Sequence, residues 1–340
     1  MGKIIRIGTR ESELALWQAT QVQNLLKESR VESELVYIKS EGDIDTVTPL
    51  YALGVQGVFT KALDAALLGN RIDIAVHSMK DVPVQLAKGV KQAAVLKRGS
   101  YKDILVLHPS LYERNTTVEV ERVHLTEQGG KTKDSSWRVP LREKTDKPGE
   151  LESVVIGTSS IRRIAQWLNH FPNDRIENLR GNVNTRLRKL KESNWHGAIF
   201  GEAGLQRINL RPRNAVQLDW MLPAPAQGAI VIVCREDDKY AFRSCESFNH
   251  EETALCTKIE REFLRLLMGG CSTPISALAK VTKAYVTFRG NIASPDGKEL
   301  LSVGVRFPVA DSSKIARTAV EGILSQGGQS IIDKMRNAPK

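Results

Sequence analysis

Four short stretches of this 340-residue chain carry residues able to do chemistry on an acidic ligand. Arg10 and Ser12 follow the apolar run "KIIRIG". Ser78, Lys80 and Asp81 follow "RIDIAVH". Thr158, Ser159, Ser160, Arg162 and Arg163 follow "VVIG", and Arg180 follows "RIENL". Arginine dominates the set, and its planar fork meets a carboxylate or phosphate through two parallel bonds. Several such forks imply a ligand with several acid groups. Asp81 is the one acid among them. It reads either as an ordinary turn cap before Pro83, or as a carboxylate held by cations and available to a developing positive charge. Cys271 stands in "FLRLLMGGCSTPISALAK", where an apolar helical run stops at two glycines; by itself it reads as a reactive thiol or as a loop residue. The other cysteines, Cys234, Cys245 and Cys256, form no C-x-x-C pair, which argues against a zinc or thioredoxin motif. Cys234 closes "AIVIVC" and reads as core packing, and His77, within a strand pattern, as a satisfied core histidine. Neither a metal-ligand spacing nor a P-loop is present.

These residues need elements to hold them. "KIIRIG" reads as a strand, and "TRESELALWQATQVQNLLKES" as a helix with Ser12 as N-cap and Leu14, Trp17, Val22 and Leu25 on one side. Strand "SELVYIKS", loop "TPLYALGVQG", helix "VFTKALDAALLGN" and strand "RIDIAVHS" follow. After residue 151 the alternation resumes with "LESVVIG", a helix from "SSIRR", strand "RIENLRG", helix "NVNTRLRKLKES" and strand "GAIF". This order predicts largely parallel sheets with helices on both faces, and such sheets bind ligands beyond the carboxyl ends of their strands. Helix N-termini there present free N–H groups to anions. In "NVNTRLRKLKES" the apolar side is Val183, Leu187 and Leu190; Arg186 lies beside it and Arg188 opposite, so Arg186 is the site candidate. The shared Ile-Gly-Thr turn of "IIRIGTRESELALWQ" and "VVIGTSSIRRIAQW" points to two similarly built α/β domains. From about Leu107 to Ser153 the chain is polar, with Gly-Gly and Lys-Pro-Gly; it reads as a hairpin of "VEVERVHL" and "WRVPL" or a loop, without chemistry. Beyond about Tyr240, a long helix (Glu251 to Met268), three strands and a last helix read as a small α+β domain.

A net charge of +10 points to acidic partners. No apolar run is long enough to span a bilayer, and the N-terminal "MGKIIRIGT" lacks a signal-peptide core, so a cytoplasmic protein is expected. Nucleic acid fits poorly, because few aromatics accompany the basic stretch 186–191 and no RNP-like motif appears.

In this order, "IGTRESELALWQA", "DIAVHSMKDVP", "IGTSSIRR", "NLRGNVNTRLRKL" and "GGCSTPI" closely resemble the hydroxymethylbilane synthase (porphobilinogen deaminase) family, over nearly the whole chain except about 110–152. The resemblance implies an α/β fold of two periplasmic-binding-protein-like domains with hinge crossings, plus a small C-terminal α+β domain. It divides the chain into 1–98 with 223–240, bearing a lid loop and the catalytic aspartate; 99–222, arginine-rich; and 241–340, bearing the cysteine loop. The implied enzyme is a transferase that joins four porphobilinogen molecules head-to-tail into hydroxymethylbilane, releasing ammonia. Its dipyrromethane cofactor would be bonded through a thioether to Cys271. A thiolate is a soft nucleophile suited to capturing the electrophilic azafulvene left by deamination, and the glycines let the loop approach the cleft closely.

By the same resemblance, Asp81 matches the essential aspartate, with Lys80 beside it. Arg10, Arg162, Arg163, Arg180, Arg186 and Arg207 match arginines that hold acetate and propionate groups. Ser12, Ser78, Thr158, Ser160 and Asn182 match polar residues lining the same cleft. Each added pyrrole brings two carboxylates, which accounts for so many cations. The implied protein is a monomer with porphobilinogen as its partner, and with no metal, nucleic acid or membrane. Departures occur at the lid, where "GVQGVF" has Gln56 for the family's lysine but keeps Phe59, in "PAQG" (Pro225 to Gly228), and at Val233, often Glu. The competing reading is a non-catalytic receptor for a polycarboxylate, which would have no use for Asp81 or Cys271.

Overall fold

The structure is a computed structural model that describes residues 3–39, 60–112, 124–125, 131–132, 153–213, 215–267 and 273–337. In chain order the first half gives β1 (Ile5–Thr9), α1 (Glu13–Glu28), β2 (Ser33–Tyr37), α2 (Lys61–Leu68), β3 (Ile74–Ser78), a 3-10 turn (Met79–Asp81), β4 (Val90–Val95), β5 (Asp103–Leu107) and α3 (Pro109–Tyr112). Then come β6 (His124–Leu125), β7 (Lys131–Thr132), β8 (Val155–Gly157), α4 (Ile161–His170), β9 (Arg175–Glu177), α5 (Val183–Glu192), β10 (Gly197–Gly201), α6 (Glu202–Arg207) and β11 (Ala215–Gln217). The last part holds β12 (Ile230–Arg235), α7 (Lys239–Glu246), α8 (Glu251–Leu266), β13 (Ile275–Thr282), β14 (Tyr285–Ala293), β15 (Leu300–Pro308), α9 (Ile315–Leu324) and α10 (Gly328–Asn337).

Two five-stranded sheets have the orders β2-β1-β3-β12-β4 and β9-β8-β10-β5-β11. Aligned in that direction, the orders correspond strand for strand, and the shared Ile-Gly-Thr stands at the carboxyl end of β1 and of β8, the second strand of each. Both sheets are parallel except for the fourth strand: β12 runs against β3 and β4, and β5 against β10 and β11. That strand is the one the chain enters from the other sheet, so the expected parallel arrangement carries one reversal per sheet.

Alternating side chains feed two cores on each sheet, as double-sided burial requires. On the first sheet Ile74 and Val76 pack with Ala19 and Val22 of α1, whereas Ala75 packs with Leu63 and Leu67 of α2. On the second, Leu105 and Ile199 meet Trp167 of α4, and Ile104 and Phe200 meet Leu190 of α5. The buried stripe of α1 is Ala15, Gln18, Ala19, Val22 and Leu26; of the expected stripe it keeps Val22, while Leu14 lines the cleft. A three-stranded antiparallel sheet, β13-β14-β15, packs on α8, α9 and α10 around Phe263 and Phe288, as the α+β reading expects. In the polar segment, β6 pairs with β7; the arm expected at 137–141 lies outside the described residues.

The chain crosses between the two large sheets twice, at 96–102 and 218–229. The crossings touch where Gly99 N–H donates to the Gly228 carbonyl at 3.1 Å. Gly228 has φ +87, and a Cβ there would stand 2.5 Å from the Ser100 carbonyl oxygen, so only glycine fits.

Candidate functional site

A cleft of about 490 Å³ opens where the two large sheets face each other. Its walls are residues that follow strand carboxyl ends. Arg10 and Ser12 come after β1, Lys39 after β2, and Lys80 and Asp81 after β3. On the opposite wall stand Arg180 and Asn182 after β9, and Gly201 at the end of β10.

The N-termini of α1 and α5 both point into this space. Ser12 caps α1 by accepting the Ala15 N–H at 3.4 Å, and Asn182 caps α5 by accepting that of Thr185 at 2.9 Å. Their remaining N–H groups and helix dipoles favour anions. The same two helix ends meet across the cleft, where Asn184 Nδ2 donates to Glu13 at 2.7 Å.

Arg163 anchors the second wall. Its Nη2 and Nε donate to Asp103 Oδ1 at 2.8 and 3.1 Å, and its Nη1 to the Ile199 carbonyl at 2.9 Å. Arg186 donates from Nε to the Gly181 carbonyl at 2.8 Å. Arg207 donates to the Gly228 carbonyl at 2.6 Å, with its guanidinium over the Trp17 ring, so it bridges a crossing and α1. Burial pushes Arg186 and Arg207 down to about 10 each; for Arg186, Arg163 and Arg180 push further down and Asp81 pushes back. Cations crowded and desolvated in this way gain by meeting carboxylates. Lys80 is likewise drawn below the ordinary ammonium value by burial, against the pull of Asp81. Ser78 accepts from Gln18 Nε2 at 2.8 Å, which fixes the end of β3 against α1.

Three of the expected residues stand elsewhere. Arg162 does not line the cleft: it is buried, and donates to Asp103 Oδ2 and the Leu222 carbonyl, both at 2.7 Å. Thr158 and Ser160 are not among the lining residues; the Thr158 hydroxyl accepts the Ser160 N–H at 3.3 Å. His77 is a core residue, but burial pushes it down to about 3 and its Nε2 makes no hydrogen bond, so it is not the satisfied histidine expected. Cys234, Cys245 and Cys256 are buried, and burial pushes their thiols up to about 11, 12 and 11, which leaves them inert. Cys271, Gln56 and Phe59 lie outside the described residues.

Sequence reasoning missed Asp103, Gln227 and Lys39. Asp103 opens the otherwise apolar run "DILVL", and a buried acid there was a signal for partnered cations. Arg162, Arg163 and Gln227 Nε2 all converge on it, and despite burial they hold its carboxyl below the usual range. Lys39 follows a strand at the same edge that marked Arg10. Among the described residues no group of three His, Cys, Asp or Glu side chains could hold a metal ion. No described helix is long and apolar enough to cross a membrane. What the cleft offers is a row of guanidinium groups with Lys39 and Lys80, against the three carboxylates Glu11, Glu13 and Asp81, and this cation-rich set suits a small organic polyanion such as a dipyrromethane with its four acid arms.

Comparison with known proteins agrees. Residues 5–243 match the family model "Porphobilinogen deaminase, dipyromethane cofactor binding domain", and residues 254–325 match "Porphobilinogen deaminase, C-terminal domain". The chain is 35% identical to the porphobilinogen deaminase of Syntrophomonas wolfei over 336 residues, 98% of this chain and 99% of that one. It is 40% identical to the chloroplastic porphobilinogen deaminase of Oryza sativa over 303 residues, 86% of this chain and 75% of that one. Among solved structures, a nutrient-binding protein of Burkholderia cenocepacia bound to methionine aligns with 74% of this chain and 93% of its own at 13% identity and a TM-score of 0.37, a likeness too loose to carry an argument. Two domain models in tandem and identity along nearly the full length place the chain in the porphobilinogen deaminase family, the transferases that assemble hydroxymethylbilane from porphobilinogen on a dipyrromethane cofactor.

Proposed function

We propose that the cleft between the two large sheets is where this assembly occurs, with Asp81 and Lys80 at the reacting end and the arginines along the growing chain. The observation that carries the reading is the meeting of two walls: Asp81 on one side acts electrostatically on Arg186 of the other, and Lys80 beside it feels Arg163. Arg10, Arg163, Arg180, Arg186 and Arg207 would hold acetate and propionate arms, assisted by the N-termini of α1 and α5. When bound, the dipyrromethane supplies the free pyrrole position to which the first new unit is joined.

Asp81 accepts pyrrole N–H groups and stabilises the positive charge that develops as the amine departs. Lys80 Nζ, its proton loosened by burial, hands that proton to the departing amino group, which leaves as ammonia. The pyrrole carbon that forms the new C–C bond loses one proton, and its return to Lys80 closes the balance. Cys271, at the end of the chain that leaves α8, is the attachment point in this reading, and a monomer working in the cytoplasm completes it.

Intact mass and turnover, measured together, test the assignment. The purified chain is expected to carry an excess equal to two pyrrole units that Cys271→Ala lacks. Asp81→Asn is expected to keep that excess and lose about 100-fold or more in kcat. Turnover of Asp81→Asn within twofold of the parent returns Asp81 to a turn cap. An excess retained by Cys271→Ala, or a parent chain that porphobilinogen cannot load, removes Cys271 as the attachment point.

A further inference from the structure

The loop that carries Lys80 and Asp81 is held from outside its own domain. Arg261, on α8, donates from Nη1 to the carbonyls of Met79 at 3.3 Å and Val82 at 2.9 Å. Its Nη2 donates to those of Pro83 at 2.6 Å and Val84 at 3.2 Å. Four carbonyls that bracket the two proposed catalytic side chains thus converge on one guanidinium. The loop itself supplies the bond from Val82 N–H to the Met79 carbonyl at 3.2 Å, and Pro83 has no N–H to add another. A lysine ammonium has three donors on one atom and cannot reproduce a planar fork spread over four acceptors.

The residue before it on α8 grips the crossings. Glu260 pairs with Arg98 at 2.6 Å, accepts the Ala226 N–H at 2.7 Å, and accepts the Ala279 N–H of β13 at 2.8 Å. Consecutive residues of one helix therefore hold the crossing and the Asp81 loop. Five residues further along, roughly 7.5 Å of helix rise, α8 ends at Leu266, and the chain runs on to Cys271.

We propose that Arg261 is a positioning residue for the reaction: it sets where Asp81 and Lys80 stand relative to the third domain, whose helix leads to the attachment cysteine. The inference rests on the catalytic reading of Asp81 given above. Arg261 reaches neither substrate nor cofactor in this role; it acts through the main chain of 79–84.

Arg261→Ala and Arg261→Lys, each alone and each in an Asp81→Glu background, separate this role from simple structural support. Arg261→Ala is expected to lower kcat by about 10- to 100-fold, the scale of a small misplacement of a reacting group, with KM changed by less than about twofold. Hydrogen exchange at amides 79–84 is expected to speed up while β1, β3 and β12 keep their protection. In the Asp81→Glu background, where the carboxylate is already displaced, the same change is expected to cost less than about threefold, because the two substitutions damage one placement. Arg261→Lys is expected to fall between the parent and Arg261→Ala in both kcat and exchange, and it carries the test if Arg261→Ala does not fold. Unchanged kcat, unchanged exchange at 79–84, or a loss of equal size in both backgrounds overturns the proposal. Full activity of Asp81→Asn, by contrast, sinks the reading of Asp81 whatever the Arg261 variants show.

Discussion

Arg162 and Arg186 share a side chain and both stand at the second sheet, yet the groups they meet differ. Arg162 is sealed behind the cleft wall against Asp103, while Arg186 lines the cleft and bonds a backbone carbonyl. Removing the first leaves a buried carboxylate short of a cation; removing the second, in the proposed function, takes away a ligand contact. Arg162→Ala is therefore expected to lose about 3 kcal/mol of stability in urea unfolding, on the scale of a broken buried pair. Arg186→Ala is expected to unfold near the parent midpoint but to raise KM for porphobilinogen by about tenfold or more, on the scale of a charge-assisted hydrogen bond. Equal stability losses in the two variants would contradict this division. Part of it was legible in the sequence. Helical spacing set Arg186 beside the apolar stripe of α5 and Arg188 on the solvent side, where Arg188 pairs with Glu192. Arg162 could not be told from Arg163 in that way, because their common partner lies 59 and 60 residues away.

The elements of the first sheet are tied at one edge by a buried acid. Asp73, at the entry to β3, accepts Arg6 Nε and N–H at 2.9 and 3.0 Å, and pairs with Lys3 at 3.0 Å and with Arg235 of β12 at 3.2 Å. Burial works to raise its pKa, but these partners prevail and hold the carboxyl well below its ordinary value. A carboxyl depressed on folding adds stability that is complete above its unfolded value, near 4, and is lost as pH falls through the folded one. Stability measured by urea is thus expected to fall steadily below about pH 4. Asp73→Asn is expected to be weaker at pH 7, by on the order of 2 kcal/mol, and to lose less on acidification. An identical acid slope in both proteins would assign that slope to other carboxylates. At this scale the sequence was most readable where order is local. The N-cap Ser12, the strands at 3–8 and 71–78, and the helix from Glu251 follow from spacing and capping. Strands β4, β5 and β11 and helix α7 were not anticipated, and the reversal of β5 and β12 could not be read. Strands β4 and β11 pair with β12 and β5, the strands that enter from the other sheet, and periodicity does not record such pairing.

In the whole molecule, two crossings join the large sheets, and the cleft lies between those sheets. Its volume, about 490 Å³, lies within the range of small-ligand sites. The product is a polymer, so in the proposed function the same cleft accepts a chain that gains a ring and two carboxylates at each step. Local rearrangement of side chains can make room for one ring, but continued growth against close-packed walls requires the walls to part. The place for that motion is the paired backbone at 96–102 and 218–229, because a few crossing residues can absorb large changes in φ and ψ while both sheets stay rigid. Gly228 is the tightest point, with φ +87 and no room for a Cβ beside Ser100. Small-angle scattering on protein trapped with one, two and three added units is therefore expected to show a radius of gyration that grows with each unit. The Arg98–Glu260 pair ties the third domain to the first crossing, and Arg261 ties it to the loop after β3. Gly228→Ala strains the contact between the crossings and is expected to slow the later additions more than the first. That would appear as a build-up of partly elongated protein in the intact-mass spectrum. Identical scattering at every stage, with no build-up in Gly228→Ala, would show that the cleft accommodates the chain without opening and that the crossings serve only as connections.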